Sequence, residues 1–131
     1  MLLRNILAVI LGLVIGNIAI MGLHYLSMLV YPLPNELEMS DIDAIASYIK
    51  TAPLGSLILV MAAHLGGTFI AGISVALVRA NIKALYIVGG VFTLAGIYNL
   101  YVLPHPIWFN IEAILYFPAA IYGYKLIEKT S

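Results

Sequence analysis

Apolar residues fall in four long runs, and most of the polar residues sit in the joints between them. The first run extends from Ile6 to Tyr31 and is closed by Pro32 and Pro34. It is longer than the roughly 7–15-residue core of a signal peptide, so it reads as a first transmembrane helix over about 5–31. The second run, 54–78, contains no Asp, Glu, Lys or Arg, and Pro53 stands at its start, where proline is tolerated. The third covers about 84–103. The fourth, about 107–127, follows the tight turn Pro104, His105, Pro106 and contains Pro118, which predicts a kink. The short link RANIK predicts antiparallel neighbours on its two sides.

Between the first two runs the pattern changes. In SDIDAIASYIK, Ile42, Ile45, Ala46 and Ile49 recur at helical spacing, which predicts an amphipathic helix over about 40–50. Ser40 is placed as its N-cap, with Asp41 and Asp43 in the first turn, where the helix dipole favours anions. Such a helix lies on the bilayer surface or over the mouth of the bundle.

Composition sets the solvent. Of 131 residues, 63% are hydrophobic and 9% charged, against roughly 45–50% and about 25% in soluble domains. Mean hydropathy is +1.07. The fold class is therefore all-α: a polytopic four-transmembrane-helix bundle in one domain, with the bilayer as its main partner. Net charge is zero and no basic patch exists, which removes the electrostatic footing for nucleic acid. There is no cysteine, so thiol redox chemistry and thiolate metal sites are excluded.

Loop charges set the orientation. Arg4, Arg79, Lys83, Lys125 and Lys129 fall on one side of four crossings, and only Lys50 falls on the other. The positive-inside rule places both termini and the 79–83 link in the cytoplasm of an inner membrane. Tyr25, Tyr31, Tyr101 and Trp108 then approach the outer boundary, and Tyr86, Tyr122 and Tyr124 the inner one, as an aromatic belt requires.

Candidate chemistry gathers in the outer half. At 1.5 Å per residue, His24, Asn99 and Glu112 lie about 6–10 Å below the outer boundary, His64 about 15 Å, and Asn17 and Thr68 about 20 Å. That pattern predicts an outward-facing polar pocket beneath the amphipathic segment. An acid inside a membrane helix is costly and needs a named partner, here His64 or His24 for Glu112. The alternative is that Glu112, one turn beyond Trp108, reaches the interface. Small residues at Gly12, Gly16, Gly67, Ala71, Gly89 and Gly96 serve helix packing.

Three function classes stay open. The first is a non-enzymatic homo-oligomer or accessory subunit of a membrane assembly, held by the Gly and Ala faces. The second is a small proton- or ion-coupled transporter or channel using Glu112 and His64. The third is a membrane metal or haem protein: zinc on His24, His64 and Glu112, or haem on His24 and His64. The depth difference of about 6 Å between the two histidines argues against haem. Small multidrug exchangers carry an acid in the first helix, and this chain has none there.

The stretches YPLPNELEMSDIDAIASYI, AAHLGGTFIAG and LPHPIWFNIEAILYFPAAIYGYKL together resemble an uncharacterised family of short four-helix bacterial integral membrane proteins. The resemblance covers most of the chain and rests on His64, Gly67, Thr68, Pro104, Pro106 and Trp108. It implies the fold and no activity. The family carries an acid near the place of Glu112, while His24 and His105 have no counterpart in it.

Overall fold

The structure, a computed structural model, describes residues 1–130. Its elements are α1 (Leu2–Val30), α2 (Ile42–Thr51), α3 (Leu54–Leu77), α4 (Ile82–Val102), a 3-10 turn (Ile107–Ile111) and α5 (Glu112–Thr130). No strand occurs among the described residues. Three helices, α1, α3 and α4, are long and apolar enough to cross a membrane.

Helix α3 is the centre of the packing and touches α1, α4 and α5. Its pairing with α1 runs antiparallel, since Gly12 faces Val75, Gly16 faces Ala71, and His24 meets His64. Helix α4 runs parallel to α1, with Val88 against Gly12 and Phe92 against Gly16. Helix α5 runs parallel to α3, with Ala120 on Gly72 and Tyr124 bonded to the Ala80 carbonyl. The core between them is Ala8, Ala71, Val75, Leu85, Val88, Phe92, Tyr116 and Ala120.

Small residues make this closeness possible. On α1 the buried positions Ala8, Gly12 and Gly16 recur every four residues. A Cβ on Gly72 would strike the backbone carbonyl of Ala120, and one on Gly123 would strike that of Phe69. Two backbones in direct contact tolerate no side chain between them, so α3 and α5 need glycine at both places. Gly67 faces Gly16 and Ile20, Gly96 lies against the Tyr116 ring, and Gly89 rests on Phe117. Ala71 is fully buried. Only Gly22 and Gly90 face open space.

Four expectations need correction. Helices α3 and α4 are antiparallel but touch only lightly, because α1 and α5 occupy the small-residue faces of α3. The cap of α2 is Asp41, whose carboxylate accepts the Ala44 N–H at 3.1 Å, while Ser40 bonds to Glu38 instead. The last run does not begin as an α-helix at 107: a 3-10 turn comes first. Tyr124 belongs to no aromatic belt, because it is buried and its hydroxyl is bonded to the chain. Helix α5 continues unbroken through Pro118.

Candidate functional site

The turn before α5 decides where the acid goes. In 3-10 geometry residues three apart eclipse. Phe109 and Glu112 therefore share one side, and both are buried, while Ile107, Trp108 and Ile111 stay exposed. The side chain of Glu112 is 1% exposed, so it does not reach the interface. From Glu112 the buried stripe continues along α5 through Tyr116 and Ala120, at the four-residue spacing of a helix face.

Glu112 is met from two sides. His64 Nδ1 and the Tyr116 hydroxyl both bond to its Oε1. Its Oε2 is buried without a hydrogen-bond partner among the described residues. On the far side of the His64 ring, Nε2 lies 3.0 Å from His24 Nε2, with the rings edge to face. Tyr116, Glu112, His64 and His24 thus form one hydrogen-bonded line across α5, α3 and α1.

The line ends at a cavity of about 350 Å³. Its bundle side carries His24, His64, Asn99 and His105. Its roof comes from the 31–41 loop and α2, including Tyr31, Met39, Ile45, Tyr48 and Ile49. The amphipathic segment therefore covers the site, but the walls are mainly apolar and the polar groups are confined to one side. His105 Nδ1 donates to the Leu103 carbonyl at 3.1 Å, and its ring stacks on Phe109. Burial lowers the His105 pKa below its ordinary value; the Leu103 bond and the Glu112 charge oppose this in part.

Protonation follows from bonding roles. The Tyr116 hydroxyl donates to Oε1, and with Glu112 ionised the bond from His64 needs a proton on Nδ1. His64 Nε2 is then a lone pair and accepts from His24 Nε2–H. His24 Nδ1, which has no partner among the described residues, is left as an acceptor. A proton taken up at His24 Nδ1 can pass to Glu112 by two transfers. Each ring then ends as the opposite tautomer, and Nδ1 of His24 becomes a donor.

The other candidates are dispersed. Thr68 is fully buried and donates to the His64 carbonyl at 2.8 Å, behind the cavity. Asn17 is exposed and bonds only to the Leu13 carbonyl of its own helix; it lies on the open face of α1, while Gly16 beside it packs on Ala71 and Phe92. His24 and His64, which counting along the helices places about 6 Å apart in depth, meet ring to ring at 3.0 Å. For Tyr116 the sequence carries one signal, its i, i+4 spacing from Glu112.

The geometry does not suit the metal alternatives. His24 and Glu112 bind opposite nitrogens of His64, so the three cannot converge on one zinc ion. Among the described residues no three His, Asp or Glu side chains are grouped to hold a metal. Two imidazoles on opposite sides of one iron would stand about 4 Å apart, at roughly 2 Å per bond; these stand at 3.0 Å. Comparison of the chain with known protein families, with curated proteins and with solved structures finds no match in any of the three.

Proposed function

We propose that this is a four-span protein of a bacterial inner membrane that binds a small molecule in an outward-facing cavity and couples that binding to a proton. The observation that carries the reading is the hydrogen-bonded line from His24 through His64 to the buried Glu112. Proton uptake by Glu112 reverses the hydrogen-bond sense at His24 Nδ1, from acceptor to donor. A ligand that needs an acceptor there is held when Glu112 is ionised and released when it is neutral. The proton travels without adding net charge to the imidazoles, which suits a low-dielectric interior.

The fourth crossing is supported by the course of α5. From Glu112 to Tyr124 it follows α3 from the level of His64 to the 78–81 turn, a rise of about 18 Å at 1.5 Å per residue. Its charged residues Lys125, Glu128 and Lys129 lie at the far end. Both termini and the 78–81 turn are cytoplasmic in this reading, by the distribution of Lys and Arg. A homo-oligomer or accessory role finds less support, because nearly every glycine face is filled within the chain.

The test is infrared difference spectroscopy on the purified protein during acidification. The expected result is a carboxylic-acid carbonyl band that disappears in Glu112→Gln and is altered in His64→Ala. Identical difference spectra for the wild type and Glu112→Gln would overturn the proposal.

A further inference from the structure

The cavity makes unusual demands on an occupant. No Asp, Glu, Lys or Arg lines it, so a charged headgroup would find no counter-charge there. Its apolar lining includes Met28, Met39, Ile45, Leu57 and Val60. Ser27 and Ser56 also border it, but each hydroxyl donates back to a carbonyl of its own chain segment at 2.8 Å. Both nitrogens of His64 are committed.

Three polar groups on the bundle side remain open, and the Tyr31 and Tyr48 hydroxyls, which make no hydrogen bond among the described residues, add two more at the roof. His24 Nδ1 is a bare acceptor in the ionised state of Glu112. His105 gives its Nδ1–H to Leu103, so its Nε2 is a second bare acceptor. The Asn99 amide makes no hydrogen bond among the described residues and can donate or accept. Two unpaired imidazole acceptors call for a ligand that brings a hydroxyl hydrogen. A molecule with acceptors alone, such as an oxidised quinone, leaves both unpaired at a cost.

The walls refine the choice. Thioethers make favourable contacts with aromatic rings, and Met28 and Met39 supply two. Tyr31 and Tyr48 add ring edges and faces. An aromatic hydroxyl, with an ordinary pKa of about 10, is a better proton donor to imidazole than an aliphatic alcohol. A volume of about 350 Å³ is at the low end of ligand pockets, which run roughly 300–1,000 Å³. That admits one substituted ring and not a phospholipid.

We infer that the cavity binds a lipophilic phenol: a single alkyl-substituted aromatic ring whose free hydroxyl donates to His24 Nδ1. This rests on the proton-coupled reading above for the state of His24.

The test is calorimetric titration of the full-length protein in nanodiscs, against empty nanodiscs, with 2,3,5-trimethylphenol and its methyl ether 2,3,5-trimethylanisole. The two share a body and differ in the donor. The phenol is expected to bind saturably and at least about tenfold more tightly than the ether. Val60→Trp, which fills the cavity, should abolish saturable binding of the phenol, and His24→Leu should remove its advantage over the ether. Equal binding of the two probes, no saturable binding of the phenol to the wild type, or undiminished binding in Val60→Trp would overturn the inference. The wild-type comparison needs no variant to fold. The infrared signal of Glu112 is read without any ligand. A Glu112 band with no phenol binding therefore sinks the ligand class alone, and phenol binding with no Glu112 band sinks the proton coupling alone.

Discussion

His24 and His64, forty residues apart in the chain, face each other Nε2 to Nε2 at 3.0 Å. One ring must donate and the other accept, and the carboxylate on His64 Nδ1 decides which. With Glu112 ionised, His64 carries its proton on Nδ1 and His24 on Nε2. Imidazole ¹⁵N spectra of the neutral protein should show the two rings as opposite tautomers. Glu112→Ala should release His64 from the Nδ1–H form. Identical tautomers in the wild type would remove the basis for the relay.

The same carboxylate also carries stability. Glu112→Leu keeps the bulk but leaves the Tyr116 hydroxyl and His64 Nδ1–H without their acceptor. Each buried orphan costs about 1–3 kcal/mol, so the loss from the two should be about 2–6 kcal/mol. Glu112→Gln retains one acceptor oxygen and should lose less. Thermal unfolding in detergent reads both, and a leucine variant as stable as the wild type would contradict the bonding described.

Glycine substitutions should separate by position. Gly72→Ala drives a methyl into the Ala120 carbonyl of α5, and backbone on both sides leaves little room to relax. A loss of about 1–3 kcal/mol is expected from overpacking. Gly90→Ala meets nothing within 4 Å and should gain up to about 1 kcal/mol from helix propensity. A chemical unfolding series should give opposite signs for the two.

How much of this was legible in the sequence depends on the scale of the question. The apolar runs located the helices to within a few residues, because length and hydropathy are local properties. The period of Ile42, Ile45 and Ile49 located α2 for the same reason. Depth was legible only roughly, since counting along an axis ignores side-chain reach and tilt. Asn17 and His24 share a nominal helix face, yet one is exposed and the other half-buried. What differs is the neighbour at each level, which no spacing on α1 encodes. The burial of Glu112 was equally hidden, because it depends on a 3-10 turn that shifts the helical phase after Pro106.

His105 lies outside the membrane-spanning helices and predicts a pH effect. Its folded pKa is lowered, chiefly by burial, from an unfolded value of 6.5. The unfolded chain therefore binds this proton first as the pH falls. The contribution of His105 is complete above the unfolded value and is lost as pH drops through the folded one. Stability should begin to decline as pH falls through about 6.5 and keep declining until the lower folded value is passed, and His105→Asn should flatten that decline. Melting curves of the two proteins across this range would show it. Parallel slopes would mean the ring is not held neutral.

The course of α5 leads to the last prediction. The chain has no cysteine, so single cysteines can report sidedness against a silent background. Ser40 and Asn81 are exposed, on opposite sides of α3. With α1, α3 and α4 crossing, an impermeant maleimide should label Ser40→Cys in intact cells and label Asn81→Cys only after lysis. Thr130 is the position that separates three crossings from four. If α5 runs beside α3 through the bilayer, as its contacts from Glu112 to Tyr124 imply, Thr130→Cys should behave like Asn81→Cys. Labelling of Thr130→Cys in intact cells would place the C-terminus outside. Lys125 and Lys129 would then break the positive-inside pattern, and the Tyr124–Ala80 bond, which ties the end of α5 to the 78–81 turn, would have to be absent in the membrane.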